Sequence, residues 1–120
     1  MYRKESDATG VKEVAAIHQG DGVIKVRGFF QGASRLPVQF HVWELDPGVS
    51  EGDHIHDDLE ECYYFTQGSG VMTLDGQHVP VTAGDAILAP PGCDHGMRNT
   101  GNTPLKVVLI WGRPQAAPRD

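Results

Sequence analysis

Short runs of apolar residues, broken every few positions by Gly, Pro, Asn or Asp, carry the chain from about residue 20 to residue 112. Val38 to Leu45 alternates apolar and polar positions, the pattern of a strand with one buried face, and ends at the turn Asp46-Pro47-Gly48. Val23 to Phe30 is rich in β-branched residues but holds Gly28, which predicts a strand pair or one bent strand. Glu61 to Phe65 and Gly70 to Leu74 flank Gln67-Gly68-Ser69, a turn. Asp75-Gly76 between two alternating runs is a hairpin signal. Ala86 to Leu88 enters a turn at Pro90-Pro91-Gly92, residues His95 to Asn99 leave it, and Leu105 to Trp111 closes the series as an apolar strand. Lys12 to Ile17 reads as a short strand or a helical turn. Such an order of short strands and turns predicts an all-β barrel.

Composition narrows this to one small domain. A chain of 120 residues with 39% hydrophobic residues supports a single core. The barrel is expected over about residues 20–112, with an N-terminal extension before it and a mobile tail from Gln115 to Asp120. Residues Met1 to Thr9 are polar and mixed in charge, unlike a signal peptide, and no run is long enough to span a bilayer. The two cysteines, Cys62 and Cys93, form no disulfide framework, which points to the cytoplasm. A net charge of −6 with no basic patch argues against nucleic acid as a partner.

Candidate chemistry gathers around two sets of residues. His54 and His56 are two apart, so on an extended strand both rings leave the same face. Glu61 lies past the acidic stretch Asp57 to Glu60, and His95 follows the Pro-Pro-Gly turn. Three imidazoles and a carboxylate suit a divalent transition metal (Fe, Mn, Ni, Zn or Cu), and no thiolate set selects otherwise. Four such ligands leave two adjacent octahedral positions open, unlike a closed structural zinc site.

Gly48-x5-His54-x-His56-x4-Glu61-x6-Gly68 and Gly84-x5-Pro90-x-Gly92-x2-His95-x3-Asn99 together resemble the two motifs of the cupin superfamily, with every fixed position filled. The fifteen residues between the motifs resemble the compact, single-domain microbial members. The resemblance implies a double-stranded β-helix, or jelly-roll, and one metal held by His54, His56, Glu61 and His95. It also implies a homodimer, as is common among small cupins. The gap to Gly68 selects Glu61 as the carboxylate, with Glu60 as the alternative that strand parity alone leaves open.

Parity also predicts the surroundings. If Glu61 points inward, Tyr63 and Phe65 do too; if His95 points inward, Met97 and Asn99 share its side. Phe65 and Met97 are therefore candidate pocket walls, and Tyr63 is a candidate proton donor. Parity leaves two inward sets open on Val38 to Leu45, either His41 with Trp43 or Phe40 with Val42 and Glu44. His18, His41 and His78 taken singly read as surface or packing residues, Cys93 as a plain turn thiol, and Arg27, Arg35 and Arg98 as solvated surface. The expected function is an enzyme acting on a small polar or carboxylate-bearing metabolite by oxygenation, isomerisation or lyase chemistry. The rival is a small-ligand-binding module without turnover.

Overall fold

A computed structural model describes residues 1–7 and 11–115. Ten strands follow one another: β1 Lys12–Ala15, β2 Val23–Gly28, β3 Val38–Leu45, β4 Ser50–Ile55, β5 Glu60–Gln67, β6 Ser69–Leu74, β7 Gln77–Thr82, β8 Ala86–Ala89, β9 Asp94–Arg98 and β10 Leu105–Gly112. They form two antiparallel sheets, one in the order β1-β2-β3-β10-β5-β8 and the other β4-β9-β6-β7. The architecture is a double-stranded β-helix. Among the described residues, no helix is long and apolar enough to cross a membrane.

Alternation does the sorting. On β10, Leu105, Val107 and Leu109 are fully buried while Lys106, Val108 and Ile110 turn outward. On β5, Tyr63 and Phe65 enter the core and Cys62 and Tyr64 stay exposed, as parity predicts. On β3, the side left open by the sequence is settled: His41, Trp43 and Leu45 face inward and Phe40 is exposed. Trp43 then packs near Trp111 across the β3–β10 pairing.

Turn chemistry joins the strands. Asp75 and Gly76 both hold positive φ, 47° and 80°, the backbone of a two-residue hairpin whose twist matches its strands. Asn99 is buried and ties three segments together: its Nδ2 donates to the carbonyls of Leu45 and Thr103, and its Oδ1 accepts from the Gly101 N–H.

Three expectations are refined. Lys12 to Ile17 contains both alternatives, a strand to Ala15 and then a 3-10 turn, Ile17–Gln19. The 23–30 run is one strand that stops at Gly28, because Phe30 takes a left-handed backbone (φ 57°) and accepts turn hydrogen bonds from Ala33 and Ser34. The expected tail falls outside the described residues beyond Gln115.

Candidate metal centre

Four side chains expected to meet do so. One ligand-type atom from each of His54, His56, Glu61 and His95 lies within 4.8 Å of the other three. Glu61 Oε1 is the hub, 3.0 Å from His56 Nε2, 3.0 Å from His95 Nε2 and 3.7 Å from His54 Nε2. Glu61 and His95 arrive by plain strand alternation on β5 and β9. His54 sits near the end of β4, and His56 lies just past it, held by a hydrogen bond from the Gly92 N–H of the Pro-Pro-Gly turn to its carbonyl. Glu60, the alternative carboxylate, is one residue out of phase on β5 and stands outside the cluster.

Backbone carbonyls fix two of the rings. His54 Nδ1 lies 2.8 Å from the Gly52 carbonyl oxygen, and His95 Nδ1 lies 2.9 Å from that of Cys93. A carbonyl only accepts, so each Nδ1 carries its proton and each neutral ring directs an Nε2 lone pair into the cluster. Two lone pairs and a carboxylate oxygen cannot crowd together without a cation or protons between them. His54 Nε2 is buried and has no hydrogen-bond partner. This donor set, hard carboxylate plus imidazole with its outer nitrogens already tied, fits a first-row divalent metal.

The electrostatics agree. Burial alone would push the Glu61 carboxyl up, but its close contacts with the His54, His95 and His56 imidazoles outweigh it and hold it far below its ordinary range. Burial likewise works downward on His54 and His95, and their contacts with Glu61 and the backbone carbonyls turn the net shift upward.

Behind Glu61 sits a second buried acid. The Tyr63 hydroxyl lies 2.9 Å from Glu51 Oε1 and 3.2 Å from Glu61 Oε2. One hydroxyl proton serves only one acceptor, so both contacts form together when Glu51 carries a proton of its own. Burial raises the Glu51 carboxyl to about 7; the field of His54 opposes that shift and the field of Glu61 adds to it. Burial, followed by the charges of Glu51 and Glu61, holds the Tyr63 phenol well above its usual range.

A cavity of about 200 Å³ adjoins the cluster, lined by His18, Trp43, Glu51, His56, Leu59, Glu61 and Trp111. Tyr63, Phe65 and Met97 are not among these residues. Phe65 and Met97 are packed in the core, with Met97 instead beside a separate groove on the smaller sheet. Sequence reasoning passed over His18, Glu51, Leu59 and Trp111 as site residues. Glu51 lies three residues before His54, which on a regular strand would point it away. A bulge reverses that: Gly52 and Asp53 together face Gly96, so Glu51 pairs with Met97 and His54 with His95, both inward.

A family model described as the cupin domain matches residues 41–111, which is more than half of the chain. The chain belongs to the cupin family. Among curated proteins, this cupin is 40% identical over 67 residues to an oxalate-binding protein of Thermotoga maritima, covering 56% of this chain and 55% of that protein. It is 34% identical over 66 residues to tetracenomycin polyketide synthase protein TcmJ of Streptomyces glaucescens, covering 55% and 44%. The cupin spans about half the length of the curated relatives it matches. Among solved structures, one described as a predicted oxalate decarboxylase from Thermotoga maritima superposes with a TM-score of 0.89 at 29% identity, over 95% of this chain and all of that one. A cupin 2 conserved barrel protein from Salinispora arenicola shares the fold at TM-score 0.75 and 20% identity, over 93% and 88%.

Proposed function

We propose that this cupin holds one divalent transition metal through His54, His56, Glu61 and His95, and acts as an enzyme on a small carboxylate-bearing metabolite bound in the adjoining cavity. The observation that carries this reading is the convergence of imidazole nitrogens on Glu61 Oε1, with His54 Nε2 buried and unpartnered. A bound metal would supply Lewis acidity, polarising a carboxylate or carbonyl oxygen. Trp43, Leu59 and Trp111 give the cavity an apolar wall, and its size of about 200 Å³ suits a small metabolite. Tyr63 orients Glu61 through its hydroxyl, and the Glu51–Tyr63–Glu61 chain offers a stored proton behind the carboxylate.

Metal analysis on untagged protein tests the first half of this reading, with near one equivalent expected. No binding after reconstitution with Fe, Mn, Ni, Cu or Zn overturns it. Calorimetric titration of the loaded protein with oxalate tests the second half, with the heat of binding expected to vanish in His56→Ala. A binding module without turnover is the second reading, favoured by the relative named as an oxalate-binding protein. Product formation and oxygen uptake separate the two readings: binding with neither favours the module.

The outer face of the larger sheet supports a homodimer. Phe40 pairs with Ile110, Ile110 with Cys62 and Cys62 with Leu88, all exposed, giving an apolar band across four strands. Light scattering should show a dimer for the native chain and a monomer for Ile110→Asp; a native monomer at micromolar concentration refutes it.

A further inference from the structure

His18 is thirty-six residues away from the first motif imidazole, yet its ring lies flat on His54, with centroids 3.5 Å apart and planes at 11°, and edge-on to His56 at 5.6 Å. The backbone that brings it there is unusual. Ala16, His18 and Gln19 all take left-handed conformations, with φ of 53°, 51° and 64°. Non-glycine residues rarely adopt this region, and such strain collects where surrounding structure and function demand it.

The surroundings do demand it. The turn is closed by hydrogen bonds from the Gln19 N–H to the Ala16 carbonyl and from the Gly20 N–H to the Ile17 carbonyl. It lies backbone to backbone on β4: a Cβ on Gly52 would meet the His18 carbonyl oxygen at 2.0 Å, and one on Gly20 would meet the Ser50 carbonyl oxygen at 2.2 Å. Two missing side chains thus let the turn sit against the bulge that carries His54. A ring nitrogen of His18 and a carboxylate oxygen of Glu51 lie with a ring nitrogen of His54 inside a 4.8 Å set. His18 also lines the cavity, together with Trp43 and Trp111.

We propose that His18 is a specificity-determining residue of this site, contacting the part of a small acid that lies beyond the group held at the metal centre. The ligand class it selects is two-headed: one carboxylate for the centre and a second polar group, carboxyl, oxo or hydroxyl, for the His18 ring. An imidazole ring can donate through one nitrogen and accept through the other, which suits either kind of second group. This rests on the metal-centre reading above. His54 Nδ1 is already bound to the Gly52 carbonyl, so only its Nε2 is free for an ion. The His18–Glu51–His54 set therefore does not hold a second ion alongside the first.

The test uses His18→Gly, which removes the ring and relaxes the backbone, and His18→Asn, which keeps a polar group on a residue that tolerates the left-handed region. Metal content, thermal melting of the metal-free protein, and calorimetric affinity for oxalate and acetate are measured on each. Both variants are expected to keep one equivalent of metal and to melt no lower than the native chain. His18→Gly should weaken oxalate at least tenfold and leave acetate, which has a single head, within about twofold; His18→Asn should recover part of the oxalate affinity. Unchanged oxalate affinity with metal retained overturns the role of His18 alone, and so does an equal loss for both acids. Loss of metal in His18→Gly overturns it in favour of a fifth ligand. A native protein that binds metal but neither acid sinks the carboxylate reading, and the role of His18 with it.

Discussion

Glu61 and His95 reach the cluster from stretches of β5 and β9 that alternate regularly, the β5 irregularity lying beyond Phe65, whereas His54, Glu51 and His18 reach it from a bulged strand and a left-handed turn. The two arms solve different problems. On β5 and β9 the pleat alone selects which side chains face inward, so position in the strand is enough. On β4 the chain must present an acid and an imidazole three residues apart on one face, and only an extra residue in the strand achieves this. The regular arm supplies an anchor; the irregular arm supplies most of what surrounds it.

The largest effect should come from the anchor. Glu61→Ala removes the oxygen on which three imidazoles converge, and metal affinity measured against a competing chelator should fall at least about 100-fold, beyond the range typical of supporting residues. Its strand neighbour Cys62 points to the opposite face, so Cys62→Ser should leave metal affinity unchanged. Adjacent residues with such different outcomes are the signature of the regular arm.

That arm was also the legible one. Parity from Glu61 placed Tyr63 and Phe65 inside, and parity from His95 placed Met97 and Asn99 inside. The hairpin at Asp75-Gly76 and the strand from Leu105 onward follow from turn residues and apolar runs in the same way. What alternation could not supply was distance. Burial of Phe65 and Met97 put them in the core and not on the cavity, because a strand's inner face serves the packing over most of its length and the site only near one end. His18 had no signal at all: its place depends on strained backbone and on two glycines in contact with distant carbonyls, which no local pattern encodes.

Effects on the irregular arm should be of intermediate size and should divide stability from binding. Gly52→Ala drives a Cβ into the His18 carbonyl, so the turn must move; a loss of about 1–3 kcal/mol in chemical denaturation is expected. Metal affinity should drop less than in Glu61→Ala, which would show that the turn can be displaced while the anchor stays.

An effect of opposite sign follows from Glu51. Its folded carboxyl binds a proton more tightly than the unfolded one, with an affinity near pH 7 against 4.5. The folded form is thus favoured below about pH 4.5, and that advantage is lost as pH rises through about 7. Glu51→Gln, which stays neutral, should match the native metal-free protein in stability at pH 4.5 and exceed it at pH 8, by on the order of 3 kcal/mol. Equal melting at pH 8 would mean that the acid is better solvated than its burial implies.

The extra residue in β4 has a consequence for how this strand can vary. Ser50 and Glu51 take their facing from one stretch of β9 and His54 and Ile55 from another, with Gly52 and Asp53 sharing the single partner Gly96 between them. The two halves of the strand therefore keep separate reading frames. Shortening the chain by one residue at Asp53 would leave Glu51 opposite Met97 and His54 opposite His95, while an ordinary strand would turn half of its side chains inside out. On β4, residue count is as open to change as residue identity, and a deletion series would explore this site along a direction that substitutions never reach.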